Sequence, residues 1–493
     1  MLRMMLAAAL LFAAPAAAQT TIAQADNPWF TDADAQLAQN LRRQPNTSRA
    51  KNVILFIADG NSVGANYATR IFAGQRAGKL GEEHVLPYEA FPHLALSKTY
   101  NINAQTPDSA ATASALNSGV KARYLTLGVS EEVIANVCAT YSPEMDLTLL
   151  SDIAAGLGKS IGIVTTTRLT HATPAAVYAH SVSRRWEGAT PKGCAQKDIA
   201  AQLFDAMADG RVDLAFGGGR RFFGPEGAIL AGGAKGRRKD GRDLIEEARA
   251  AGWRLPEDGA ALSALTPDGA PVLGVFADSH LSYEEDRTDE PSLTEMTVAA
   301  IRALSANEGG FYLMVEGGRV DHGNHGGVLH RTVSEGAQFA AAVAMADALT
   351  DDGDTLIVVT ADHGHSLAFN GYCGRGSPIT GLCYEIAASG VKHDDAPNLA
   401  DDGKPYSVAG YLNGPGAVLK KDGDVWSGSR PDLTQEQATG PDYRQQALIP
   451  KGSATHSGED VAIYAKGPWA HLFDGTVEQN YVFHVMNHAM GAP

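Results

Sequence analysis

The sequence has no closely spaced cysteine pair of the CxxC type, no apolar run after its first residues long enough to cross a membrane, no internal repeat and no surplus of positive charge. Without a CxxC pair, a thiolate zinc site is disfavoured. The four cysteines instead read as two disulfides of an exported chain, with three pairings open. Cys373 with Cys383 would close a short loop, and Cys138 with Cys194 a longer one. The missing apolar run leaves no membrane span, and His488 to Pro493 offers no hydrophobic tail for a lipid anchor. The formal net charge of −16 argues against nucleic acid as the main partner, because phosphate backbones select positive surfaces. Small phosphorylated substrates stay open, since a local cationic site can outweigh a distant negative field.

The 493 residues that are present exceed what one small core supports, so one large domain with insertions, or two domains, is expected. Residues 1–18 read as a signal peptide. Arg3 gives the positive start, Met4 to Ala14 the apolar stretch and Ala16 to Ala18 a small-residue cleavage site, which predicts a periplasmic or secreted protein. Residues 19–49 form an N-terminal arm. The run Asn46-Thr47-Ser48 fits a glycosylation sequon, a pattern common by chance.

Short runs rich in β-branched residues, each bounded by turn residues, predict strands at Val53–Ala58, Ile161–Thr166, Val212–Phe216, Val272–Phe276, Phe311–Val315, Thr355–Thr360 and Val461–Ala465. They alternate with helical patterns at Leu147–Leu157, Lys197–Ala208, Leu244–Ala251, Leu293–Ser305 and Val333–Leu349. The fold class is therefore α/β: a large, mainly parallel sheet sandwiched between helices. Residues 370–455 differ, being rich in Gly, Asp, Pro and Ser. They read as an inserted surface subdomain in which Tyr406–Tyr411 and Gly416–Leu419 pair as strands. The main domain then comprises residues 50–369 and 456–493. The basic stretch Lys235–Arg242 reads as a solvated loop.

Three predicted strands end in carboxylates. Val53–Ala58 runs into Asp59, Phe311–Val315 into Glu316 and then Asp321, and Thr355–Ala361 into Asp362-His363. Sites in open α/β sheets form at the carboxyl ends of strands. One Asp after a strand is usually a turn former or helix cap. Three such ends, two with histidine, point to cations that hold the mutually repelling acids together. Asp321 and His325 are four residues apart and would share a helix face. With His456, these make mixed His and carboxylate sets suited to Zn²⁺, while an all-oxygen set suits Mg²⁺. Ser109 precedes an alanine-rich run that reaches Gly119, which places it at a helix N-terminus, either as an ordinary cap or as a nucleophile facing a phosphate. Arg184 or Arg185, side by side before Trp186, would clamp phosphate oxygens with a guanidinium fork.

Together these motifs resemble the alkaline phosphatase family over nearly the whole mature chain. The resemblance implies hydrolysis of small phosphate monoesters through a covalent phosphoserine, at a site with two zinc ions and one magnesium. Ser109, in Thr106-Pro-Asp-Ser-Ala-Ala-Thr, looks like the nucleophile, and Asp108 like the residue that positions the clamp, here Arg184. Asp321, His325 and His456 look like the ligands of one zinc, and Asp59, Asp362 and His363 like those of the second. Thr173 and Glu316 would complete the magnesium site with Asp59. His171 and His322 lie where the enteric bacterial type has an aspartate and a lysine near the metals, which predicts weaker magnesium retention. The segment from Thr165 to Trp186 is closer to the animal enzymes. Residues 370–455 resemble the crown subdomain, and Cys138 with Cys194 a disulfide of the animal enzymes. The animal calcium site is not implied, since Ala277 follows Phe276 where those enzymes have glutamate. The family is usually dimeric, which implies a homodimer. A phosphodiesterase or sulfatase of the same superfamily is the alternative activity.

Overall fold

A computed structural model describes residues 22–266 and 268–492, so the segment read as a signal peptide lies outside the described residues. Two compact units are distinguished, one up to Pro45 and the other from Asn46 onwards. The first contains helix α1 (Pro28–Asn40), capped by the Asn27 side chain, which accepts from Trp29 N.

The second is built on one nine-stranded sheet. Its strands in chain order are β1 (Asn52–Ile57), β2 (His93–Lys98), β3 (Ser160–Arg168), β4 (Leu214–Gly218), β5 (Val272–Val275), β6 (Phe311–Glu316), β7 (Thr355–Thr360), β8 (Val461–Lys466) and β9 (Thr476–Glu478). Their spatial order is β9-β2-β8-β7-β1-β6-β3-β4-β5. From β7 to β5 every pairing is parallel, whereas β8 runs antiparallel to both β7 and β2. The chain is therefore α/β as its periodicity predicts, with all seven expected strands in this one sheet.

The strand interiors are apolar on both faces because helices cover both. Val53, Leu55, Ile57, Met314 and Val358 belong to one buried cluster, and Ile54, Phe56, Leu313, Val315 and Val359 to another. This two-residue alternation follows the pleat. In the first layer, helices Ser109–Ser118 (α3) and Leu150–Gly156 (α4) contribute Ala110, Ala113, Leu116, Leu150 and Ala154. The opposite layer holds Leu293–Leu304 (α5) and Leu329–Leu349 (α6). Helix α2 spans Val63–Arg76 and packs with α6.

Two expectations need correction, and two strands were not anticipated. Within residues 370–455, Tyr406–Tyr411 and Gly416–Leu419 do not pair. Ala409–Gly414 pairs instead with Leu367–Phe369 and, in parallel, with Ala447–Pro450. Long-range partners with exposed Leu448 and Ile449 left no local hairpin signal. The Lys235–Arg242 stretch is not simply solvated: Arg238 is fully buried, with its guanidinium on Asp198 and Asp240. Strands β2 and β9 were not legible, because Leu94 and Leu96 face outwards in β2 while Ala95 and Ser97 face in. Both anticipated disulfides are present, Cys138–Cys194 and Cys373–Cys383. Among the described residues, no helix is long and apolar enough to cross a membrane.

Candidate metal and phosphate site

The carboxyl ends of β1, β6, β7 and β3 converge, and their loops carry the acids. Asp59 follows β1, Glu316 ends β6, and Asp362-His363 follows β7. Asp321 and His325 lie on the short helix Arg319–Gly326, one turn apart as their spacing predicts. His456 is brought to this point because His456–Ser457 pairs antiparallel with Gly364–His365.

Three histidines share one arrangement. His325 Nδ1 donates to Ala454 O at 2.6 Å, His456 Nδ1 to Pro107 O at 2.9 Å, and His363 Nδ1 to Gly364 O at 3.2 Å. A carbonyl can only accept, so each ring carries its hydrogen on Nδ1 and leaves the Nε2 lone pair free. The free pairs face acids and each other. His325 Nε2 and His456 Nε2 are 3.1 Å apart, and they stand 3.4 and 3.5 Å from oxygens of Asp321. Donor atoms on a tetrahedral zinc, about 2.1 Å from the ion, are separated by about 3.4 Å. Around His363 Nε2 lie Ser109 Oγ at 3.2 Å, Asp362 Oδ2 at 3.3 Å and Asp59 Oδ1 at 3.4 Å. Lone pairs this close repel unless a cation or proton lies between them. Asp59, Asp362 and His363 form one group that could hold a metal ion, and Asp321, His363, His365 and His456 another.

A third group contains Asp59, His171 and Glu316. Both Asp59 oxygens, Glu316 Oε1, Thr173 Oγ1 and His171 Nδ1 are buried without a hydrogen-bond partner. Orphaned buried acceptors cost on the order of 1–3 kcal/mol each. A hard cation satisfies oxygen donors of this kind. The other Glu316 oxygen accepts from Thr165 and Thr167.

The electrostatics agree. Burial, and then Asp362, Asp321 and Glu316, push the Asp59 carboxyl well above the usual range. Burial also raises Asp362, and lifts Glu316 to about 7. Asp321 goes the other way: burial opposes its charge, but His325, His365 and His456, when they carry a proton in place of a cation, outweigh burial and hold it low. Four buried carboxylates around one point need positive charge.

Ser109 is the first residue of α3, with Asp108, not Ser109, as the cap: Asp108 Oδ2 accepts from Ala110 N at 3.4 Å. Gly119 ends the helix with φ +73°, as its position after the alanine run predicts. Asp108 also accepts from Arg184 Nη1 at 3.2 Å. Arg184 is half-buried and Arg185 exposed, which separates the two candidates. His322 accepts from Arg319 Nη1 at Nδ1 and stacks edge-on against His280 at 4.2 Å between ring centres. A cavity of about 580 Å³ opens onto His325 and His456, with Tyr124 and Lys451 in its wall.

Sequence reasoning missed His365 and His280. His365 is buried and its Nε2 donates to Asp321 Oδ1 at 2.6 Å. Its place in Thr360-Ala-Asp-His-Gly-His365, two residues after His363 in the same strand-end loop, was the available signal. His280 sits in a loop with no motif.

Residues 50–492 match the alkaline phosphatase family. A tissue-nonspecific alkaline phosphatase isozyme of Gallus gallus is 41% identical over 486 residues, covering 94% of this chain and 88% of the relative. An alkaline phosphatase of Gadus morhua is 42% identical over 467 residues, covering 90% and 92%. Among solved structures, the Thermus thermophilus alkaline phosphatase has a TM-score of 0.64 at 25% identity, covering 92% of this chain and 94% of that one. The alkaline phosphatase of the Antarctic bacterium TAB5 has a TM-score of 0.62 at 22% identity, covering 90% and 99%.

Proposed function

Because this chain belongs to the alkaline phosphatase family, we propose that it hydrolyses phosphate monoesters through a phosphoserine formed on Ser109, at a site holding two zinc ions and one magnesium. It is a phosphomonoesterase. The finer reading is carried by one observation: Ser109 Oγ stands at the N-terminus of α3, 3.2 Å from a histidine nitrogen whose lone pair also faces two buried aspartates.

In this reading Asp321, His325 and His456 hold one zinc, and Asp59, Asp362 and His363 the other. Asp59, Thr173 and Glu316 hold the magnesium, with His171 and His322 outside the ligand set. When bound, such cations lower the pKa of a hydroxyl or water and neutralise charge that develops on phosphate oxygens. The chain's own groups do the rest. Arg184 grips two non-bridging oxygens, oriented by Asp108. The free N–H groups of α3 face the same anion. Ser109 Oγ bonds to phosphorus as the ester P–O bond breaks, and the alcohol leaves with a proton. Water then attacks phosphorus, releasing inorganic phosphate and returning a hydrogen to Oγ. The cavity beside Tyr124 and Lys451 receives the departing alcohol.

We also read residues 370–455 as a crown-like insertion, residues 19–49 as an arm, and the assembly as a homodimer. Two disulfides suit an oxidising compartment, in line with export. Chelation of the purified protein followed by separate return of Zn²⁺ and Mg²⁺ tests the site. Turnover of p-nitrophenyl phosphate should vanish and return with zinc, with magnesium adding to it. Full turnover after exhaustive chelation, or a preference for the bis ester, would overturn the reading.

A further inference from the structure

We infer that His171 is a positioning residue for the Arg184 guanidinium, and that this role and coordination of a cation by the same imidazole exclude one another. The inference rests on Arg184 being the phosphate clamp.

Arg184 is held from two sides. Nη1 meets Asp108 Oδ2 at 3.2 Å, and Nη2 meets His171 Nε2 at 3.1 Å. Asp108 is itself fixed, accepting at Oδ1 from Leu125 N at 3.1 Å and Asn101 Nδ2 at 3.2 Å. A guanidinium has only donors, so His171 Nε2 must present its lone pair. A neutral ring then carries its hydrogen on Nδ1. That Nδ1 is buried with no partner, and a nitrogen of this ring lies within 4.8 Å of oxygens of Asp59 and Glu316. His171 therefore presents its Nε2 lone pair towards the clamp and carries its hydrogen on the unpartnered Nδ1.

The exclusion follows from counting lone pairs. A cation that takes the Nε2 pair deprives Arg184 of its acceptor. A cation that takes an Nδ1 pair forces the hydrogen onto Nε2, where it would face an Arg184 N–H across 3.1 Å. In both cases the guanidinium loses its second anchor. Magnesium held through Asp59, Glu316 and Thr173 leaves the contact intact, while an ion that recruits the imidazole breaks it. The third site and the phosphate clamp are thus joined through one side chain.

The two amide isosteres separate this role from mere packing. The Gln oxygen reaches about as far as Nε2, whereas the Asn oxygen reaches only the Nδ1 position. The test measures binding of inorganic phosphate by calorimetry to zinc- and magnesium-loaded protein, for the unaltered chain and for His171→Gln, His171→Asn and His171→Ala. Loss of one anchor on a charge-assisted contact should weaken phosphate binding about tenfold in the Asn and Ala forms. The Gln form should stay within about threefold of the unaltered protein, and zinc content should be equal in all. KM for p-nitrophenyl phosphate should rise in the same order. If Ala fails to fold, the Asn and Gln pair still decides. Equal affinities for Asn and Gln would overturn the inference. Failure of the unaltered holoenzyme to bind phosphate would overturn the clamp reading itself, a different result from unaltered binding with indistinguishable variants.

Discussion

His365 Nε2 donates to Asp321 Oδ1 across 2.6 Å, and His365 is also the strand partner of His456. One buried imidazole therefore fixes an acid and aligns a histidine of the same cluster. Groups that orient metal-binding side chains commonly matter 10–100-fold. His365→Ala should lower kcat/KM by about that factor and raise the zinc concentration needed for half-maximal activity. Activity titrated against free zinc checks it, and an unchanged titration would contradict the role.

Gly60 makes the turn after β1 with φ +72°, and a Cβ there would lie 2.8 Å from His365 Cδ2 and 3.0 Å from Asp321 Cα. Gly60→Ala combines a left-handed backbone with a clash against the two residues just described. We expect a stability loss of about 1–3 kcal/mol together with reduced zinc affinity. Denaturant unfolding and zinc analysis check both parts.

Arg238 has no exposed surface and bonds Asp198 through two nitrogens, at 2.8 and 2.9 Å. Removing one partner of a buried pair leaves the other charge stranded, at a cost of about 3–5 kcal/mol. Arg238→Ala should unfold at markedly lower urea. Arg238→Lys should recover little, since Lys cannot bond both acids in the same plane.

Glu335 lies buried on α6, accepting from Glu284 N at 2.6 Å, and burial lifts its carboxyl to about 7. Between pH 4.5 and 7 the folded state then binds more protons here than the unfolded state, so this group's contribution to stability falls as pH rises. Glu335→Gln keeps an acceptor but cannot ionise. Its stability relative to the unaltered protein should grow across that window to about 3 kcal/mol and stay level above pH 7. Unfolding of both proteins at matched pH checks the sign.

Much of this was legible in sequence because chemistry and periodicity coincided. Asp59, Glu316 and Asp362 each end an apolar run, and a strand end is where an α/β sheet exposes its loops. Asp321 and His325 carried helical spacing. What was illegible depended on distant partners. The outward Leu94 and Leu96 disguise β2, whose place follows from pairing with β8 and β9. Arg238 reads as one more charge in a basic run until Asp198, forty residues away, reaches it. Local sequence likewise could not separate Arg184 from Arg185; the contacts to Asp108 and His171 separate them.

The central claim is that Ser109 takes the phosphoryl group. Acid quenching during turnover of a radiolabelled phosphate monoester, followed by peptide mapping, tests it most directly. The account predicts label on the peptide containing Ser109, approaching one equivalent per chain at low pH, and none in Ser109→Ala. Stable label in Ser109→Ala, or label mapped to another residue, would contradict it.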